Sequence, residues 1–217
     1  MCKFKSGIIL KDRVFIPDYD SHEDMLKELK IEDTEDNAKR LFVRAELTPP
    51  DKNVFTPVSE WKYRVDQDIL PEWYVPEVDE KRMRDAVAEW AKEHIHIGKK
   101  IKEITSGLHW IKDGTVGVIG GSAEIRALFG SAKVGSVCDT AEVGYVYGFA
   151  EVGSVYGSAK VGSVCGSATV MTDSVSKWYT ADGVCIKDEA VLIDRYNKKI
   201  YHSGEFETVI AGGQKDE

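Results

Sequence analysis

The chain contains no apolar run approaching the roughly 20 residues that a membrane helix needs, and residues 1–7 lack the apolar core of a secretory signal. Cysteine is scarce. Cys2, Cys138, Cys165 and Cys185 form no CxxC pair, which predicts reduced thiols and a cytoplasmic protein. No GxSxG, P-loop or dinucleotide fingerprint is present, so nucleophile-elbow and phosphate-cradle chemistry have no anchor. Positive charge is in deficit, with 29 Lys+Arg against 37 Asp+Glu and a net charge of -8. That balance argues against broad phosphate-backbone binding, and no direct nucleic-acid partner is expected. At 42% hydrophobic and 30% charged, the 217 residues are too apolar for a disordered chain.

What the sequence does contain is a repeat. From Gly114 the chain divides into nonamers: GTVGVIGGS, AEIRALFGS, AKVGSVCDT, AEVGYVYGF, AEVGSVYGS, AKVGSVCGS and ATVMTDSVS. Alanine recurs at Ala123, Ala132, Ala141, Ala150, Ala159 and Ala168, and an aliphatic residue follows two places on, from Val116 to Val170. A second aliphatic column runs from Ile119 through Leu128, Val137, Val146 and Val155 to Val164. Ala-x-Val places two small side chains on one face of a short strand and a charged one on the other. Glycine at positions four and eight is read as the source of the bends, and so much glycine and valine disfavours helix. One nonamer is too short to close a coil. Two nonamers, 18 residues, predict one turn of a parallel β-solenoid, with three-sided coils of 27 as the alternative. The Ala and Val columns are expected inside, with Glu124, Lys133, Glu142, Glu151 and Lys160 outside.

The flanks read differently, giving three expected regions: an α+β domain over 1–113, the solenoid over 114–176, and a β-rich cap and tail over 177–217. In the first, Ile8-Ile9-Leu10 and Val14-Phe15-Ile16 predict a hairpin. Ser21 with Asp24 predicts a capped helix burying Met25, Leu26 and Leu29. Residues 41–47 and 61–65 read as strands. Asp79 is expected to cap a helix whose apolar stripe is Met83, Ala86, Val87, Trp90 and Ala91, and residues 97–113 lead into the first coil. Past residue 176, antiparallel strands are expected at 184–186, 190–193, 199–201 and 208–210, with turns at Tyr196-Asn197 and Ser203-Gly204. They would cover the last open edge.

Candidate sites are few. His94-Ile95-His96 is a possible metal pair only on a strand, and at a helix end the rings diverge, so no metal and no cofactor are expected. Asp66 and Asp68, near Glu72, read as solvated strand-end acids, with a divalent-cation or acid-base pair as the alternative. An enzyme would need Asp66, Asp68, His94, His96 and His109 to meet in one pocket, and the chain is read as non-catalytic. Residues 18–36 hold nine carboxylates against two lysines. Of these Asp24, Glu28, Glu32, Asp33, Glu35 and Asp36 make a candidate acidic binding face for a basic groove on a partner. Phe129, Tyr145, Tyr147, Phe149 and Tyr156 form either an outward aromatic patch or a corner of the core. Residues 18 apart should stack, Phe129 over Tyr147 over Cys165, and Cys138 over Tyr156.

The Gly-Ser-Ala-x-Val-Gly-Ser-Val unit, following Trp-Lys-Tyr-Arg-Val-Asp-Gln-Asp and Glu-Trp-Ala-Lys-Glu-His, resembles a group of uncharacterised bacterial and phage-type proteins, which carries no activity to transfer. The nine-residue period is also similar to the calcium β-roll of secreted toxins, but the Gly-Gly-x-Gly-x-Asp ligands are missing and calcium is not implied. Together these features predict a binding protein, a homodimer through the aromatic patch, acting on a host protein such as a nucleic-acid-binding defence enzyme in the host cytoplasm. One alternative is a nucleotide held in a cleft, with Lys99, Lys100, Lys102 and Arg126 on its phosphates. The other is a structural scaffold.

Overall fold

The computed structural model describes residues 5–173 and 185–203, and the chain divides into two compact units, 1–96 and 97–217. In the first unit β1 (Lys5–Leu10) and β2 (Val14–Phe15) form the expected hairpin, followed by α1 (His22–Glu28), α2 (Glu35–Ala38), β3 (Phe42–Thr48), β4 (Lys62–Val65) and α3 (Pro76–His94). The four strands make an antiparallel sheet in the order β2-β1-β3-β4. Side chains alternate across it. Ile9, Val43, Ala45 and Leu47 pack with Trp61, Met83 and Val87 on the α3 side, while Ile8, Leu10 and Phe42 pack with Met25, Leu26 and Ala38 on the α1 side. Covering both faces explains why all six residues of β1 are buried.

The helix ends follow their chemistry. Ser21 caps α1, its Oγ accepting from the Asp24 N–H at 3.2 Å. α3 begins three residues before the expected Asp79. Pro76 supplies a preset φ at a position that needs no N–H, and the buried Asp79 carboxylate reaches back to accept from the Val75 N–H at 2.8 Å. β5 (Ile95–Ile97) follows α3.

The second unit is the solenoid. Strands alternate between two faces: β6 (Lys100–Ile104), β7 (Leu108–Lys112), β8 (Thr115–Ile119), β9 (Glu124–Phe129), β10 (Lys133–Val137), β11 (Glu142–Val146), β12 (Glu151–Val152), β13 (Lys160–Val164), β14 (Thr169–Thr172), β15 (Cys185–Ile186) and β16 (Val191–Asp194). Even-numbered strands from β6 to β16 stack in parallel on one face, odd-numbered ones from β7 to β15 on the other. Six parallel strands at about 4.8 Å give an axis of roughly 24 Å. Within the repeat each residue lies over the one 18 places on, as Val116 over Val134 and Val143 over Val161. The Ala and Val columns are buried, and Lys133, Glu142, Glu151 and Lys160 are exposed, with Glu124 half-buried. Each fully buried valine contributes on the order of 1.5–3 kcal/mol.

Of three details, two differ from the expectations and the third bears one out. First, parallel pairing begins at β6, ahead of Gly114, with Lys100 under Thr115 only fifteen residues away, and it continues past residue 176, with Thr169 under Val191 twenty-two residues on. Residues 185–186 and 191–194 are therefore further coil strands, paired in parallel with β13 and β14 rather than with each other. Among the described residues, the expected antiparallel cap is β17 (Lys199–His202) on β16, turned through Tyr196-Asn197. The expected strand at 208–210, and Gly204 of the expected last turn, lie outside the described residues.

Second, the glycine at position four is no bend. Gly117, Gly135, Gly144 and Gly162 sit within strands, where a Cβ on Gly135 would lie 2.5 Å from the carbonyl oxygen of Gly117 in the coil before it. Third, position eight does turn the chain, in the left-handed region, and aspartate also occupies turns of this conformation: Asp113, Asp139 and Asp188 have φ of 52°, 57° and 58°. Each Asp carboxylate accepts from a backbone N–H of an adjacent coil, that of Ser131, Gly121 and Gly166, at 2.8–3.0 Å. The aspartates thus satisfy turn donors that the glycines leave alone.

Candidate functional site

The aromatic residues resolve into an outward set. The solenoid interior is filled by Ala, Val, Ile and Leu, so rings at the turns have no room inside. Tyr145 is 59%, Tyr147 46%, Phe149 71% and Tyr156 41% exposed. Phe129 is half-buried and stacks on Tyr147, ring centroids 5.4 Å apart and 13° from parallel, with the Lys112 ammonium 5.8 Å from the Phe129 centroid. The set is not one patch. Tyr147 and Phe149 lie in a turn leaving the second face, and Tyr145 projects from that face two residues before. Tyr156 lies in the opposite row of turns, beside Cys138. Tyr145 also borders a depression of about 350 Å³ floored by Gly144 and Gly162 and rimmed by Arg126, Glu142 and Lys160. The cross-coil pair Lys160–Glu142, at 2.7 Å, lies at its rim, and a second pair, Lys133–Glu151 at 3.1 Å, stands on the other face. Exposed pairs of this kind contribute only a few tenths of a kcal/mol each.

The acidic residues spread over α1 (Asp24, Glu28), its exit (Glu32, Asp33) and α2 (Glu35, Asp36). Four of the six already have partners in their own unit. Asp24 meets Lys27 at 3.4 Å, Glu28 accepts from the Tyr19 hydroxyl, Asp33 pairs with Arg44, and Glu35 meets Lys39 at 3.9 Å. Burial and the Glu28 contact push the Tyr19 phenol up to about 12. The cations named for a nucleotide do not converge. Lys100 and Lys102 stand on β6 of one solenoid face and Arg126 on β9 of the other.

The residues named for a catalytic pocket take separate partners. His94, at the end of α3, stacks on Trp90 and meets Asp18 at 3.2 Å. His96 lies on β5, and His109, in the second unit, meets the Ser106 carbonyl at 2.9 Å. Asp68 lines a shallow depression with Asp33 and Gln67, and Glu72 another with Trp73.

Sequence reasoning missed a cluster of polar side chains between α1 and the sheet. His22 opens that helix, Glu46 lies in the middle of β3, and Asp66 follows β4. One ligand atom from each lies within 4.8 Å of the others. The legible signals were Glu46, a carboxylate inside the mostly apolar run 41–47, and Asp66, read separately as a strand-end acid. His22 Nδ1 is 3.6 Å from Asp66 Oδ2, and Nε2 is 3.3 Å from the Ala45 carbonyl. Burial holds the imidazole below its usual value of 6.5, outweighing the Ala45 carbonyl, Glu46 and Asp66, which raise it, while Arg44 adds to the lowering.

The sign follows. The unfolded chain takes up a proton near pH 6.5 and the folded one only at lower pH, so the first unit loses stability as pH falls below about 6.5. His22→Gln should flatten that slope in urea titrations between pH 7 and pH 5; an unchanged slope refutes the assignment.

No family model, curated protein or solved structure matches the chain.

Proposed function

We propose that the protein is a non-catalytic binding protein whose solenoid carries the recognition surface, and that its first partner is a second copy of itself. The observation behind this reading is the exposure of Tyr145, Tyr147 and Phe149 within five residues of one coil, with Tyr147 stacked on Phe129. Aromatic side chains bury large area at low entropic cost, and a rigid row of them on a regular surface suits an isologous interface. Tyr147→Ser with Phe149→Ser should shift the mass toward monomer in light scattering while circular dichroism stays unchanged, since neither ring belongs to the core. A wild type that is monomeric at high concentration rejects the dimer.

The acidic segment supports a second reading, in keeping with the bacterial or phage-type resemblance: an inhibitor in the host cytoplasm that occupies a basic groove of a nucleic-acid-binding defence enzyme. Glu32 and Asp36 are the exposed carboxylates on which it rests. Association with such a groove weakens as salt rises, and Glu32→Lys with Asp36→Lys should abolish it. Of the described residues, no helix is long and apolar enough to cross a membrane.

A further inference from the structure

We propose that His22, Glu46 and Asp66 form a binding site for a divalent first-row transition ion of the Zn2+ class, set between α1 and the sheet of the first unit. Three elements converge there. The Nε2 of His22 faces the Ala45 carbonyl at 3.3 Å, which assigns the proton to Nε2 and turns the Nδ1 lone pair toward the carboxylates. A backbone carbonyl holding the far nitrogen is the usual way a metal-binding imidazole is oriented. Asp66 is divided in the same sense: Arg64 binds Oδ1 at 2.5 Å, leaving Oδ2 to face His22 Nδ1 at 3.6 Å. Ligands about 2.0–2.2 Å from a tetrahedral Zn2+ stand roughly 3.2–3.6 Å apart, so that pair already has the spacing of a coordination edge.

The strongest observation is Glu46. Its side chain sits in a residue only 4% exposed, and none of the described residues gives its carboxylate a hydrogen bond or an ion pair. Ser6, opposite Glu46 in the β1–β3 register and fully buried, has a hydroxyl oxygen with no hydrogen-bond partner. An imidazole lone pair and two carboxylates, with His22 and Glu46 both buried residues, are an excess of acceptors. A cation resolves that excess, whereas buried acceptors facing one another do not. One nitrogen and two carboxylate oxygens suit zinc and its neighbours better than calcium or magnesium, which favour all-oxygen shells. Asp66, with a third of its side chain exposed, gives the ion its way in.

The test is titration of the chelator-treated full chain with Zn2+ by calorimetry at pH 7.5, repeated with Co2+ and visible absorption. One ion per chain, with the d–d bands of a low-coordinate Co2+ site, is expected. Glu46→Gln, which keeps the shape and removes the charge, should weaken binding by at least about tenfold. The same loss in His22→Gln and none in His94→Gln would place the ion. No saturable binding by the wild type overturns the proposal, as does equal binding by Glu46→Gln. So does a nitrogen spectrum in which His22 carries both protons and does not respond to one equivalent of Zn2+.

Discussion

Gly135→Ala is expected to destabilise the solenoid by about 2–3 kcal/mol, a fall of roughly 5–10 °C in Tm for a chain of this size. The added methyl group would meet the Gly117 carbonyl oxygen at 2.5 Å. That oxygen is backbone, held by the parallel ladder, and cannot swing aside as a side-chain tip would. Relief requires one coil to slide or tilt against the next, disturbing the Val134 and Val137 columns that close the core. Gly98→Ala is the control. No atom lies within 4 Å of its Cβ position, and only its φ of +63° opposes the change, at about 1–2 kcal/mol. Calorimetric scans of both variants decide the matter; equal midpoints would show that coil spacing yields more easily than a parallel ladder should.

Asp20→Ala is expected to cost the first unit about 2–3 kcal/mol, whereas Lys5→Met costs no more than about 1 kcal/mol. The two partners of this pair differ in surroundings. The Lys5 side chain is 2% exposed and that of Asp20 41%, at 3.0 Å. The ammonium also donates to the Pro17 carbonyl at 2.6 Å and lies 4.8 Å above the Trp90 ring. Removing Asp20 takes the carboxylate away from a buried cation and also takes an acceptor from the Ser6 N–H. Removing the cation instead leaves a carboxylate that water reaches, and a methionine in its place packs against the indole. Urea unfolding followed by tryptophan emission measures both. A larger loss in Lys5→Met would mean the cation is a net stabiliser, contrary to the desolvation argument.

The solenoid was legible where its coils are alike. Between Gly114 and Thr172 each pair of turns has the same length, so spatial columns become a nine-residue period in sequence. At the ends the stacking persists but the spacing changes, fifteen residues from Lys100 to Thr115 and twenty-two from Thr169 to Val191, and the period disappears although the physics does not. The mid-strand glycines were misplaced because glycine is a turn signal when read alone, and only the neighbouring coil reveals the close approach. The aromatic residues were legible as a set but not in their division between opposite rows of turns. His22, Glu46 and Asp66 were invisible as a group. They come from a helix start, a strand and a strand exit, and only the β1–β3–β4 pairing brings them together.

Because residues 18 apart are equivalent in register, the solenoid's length is a modular quantity, independent of how its ends are finished. Joining Ala132 directly to Glu151 deletes residues 133–150 and sets Glu151 where Lys133 stood, over Thr115, with Val152 over Val116. The deletion removes one whole circuit and leaves every remaining column in phase. That circuit happens to carry Tyr145, Tyr147 and Phe149. The fold and its exposed rings are therefore separable by excising a single module, so the rings are gained or lost with one coil, without touching the hydrophobic columns that hold the remaining coils together.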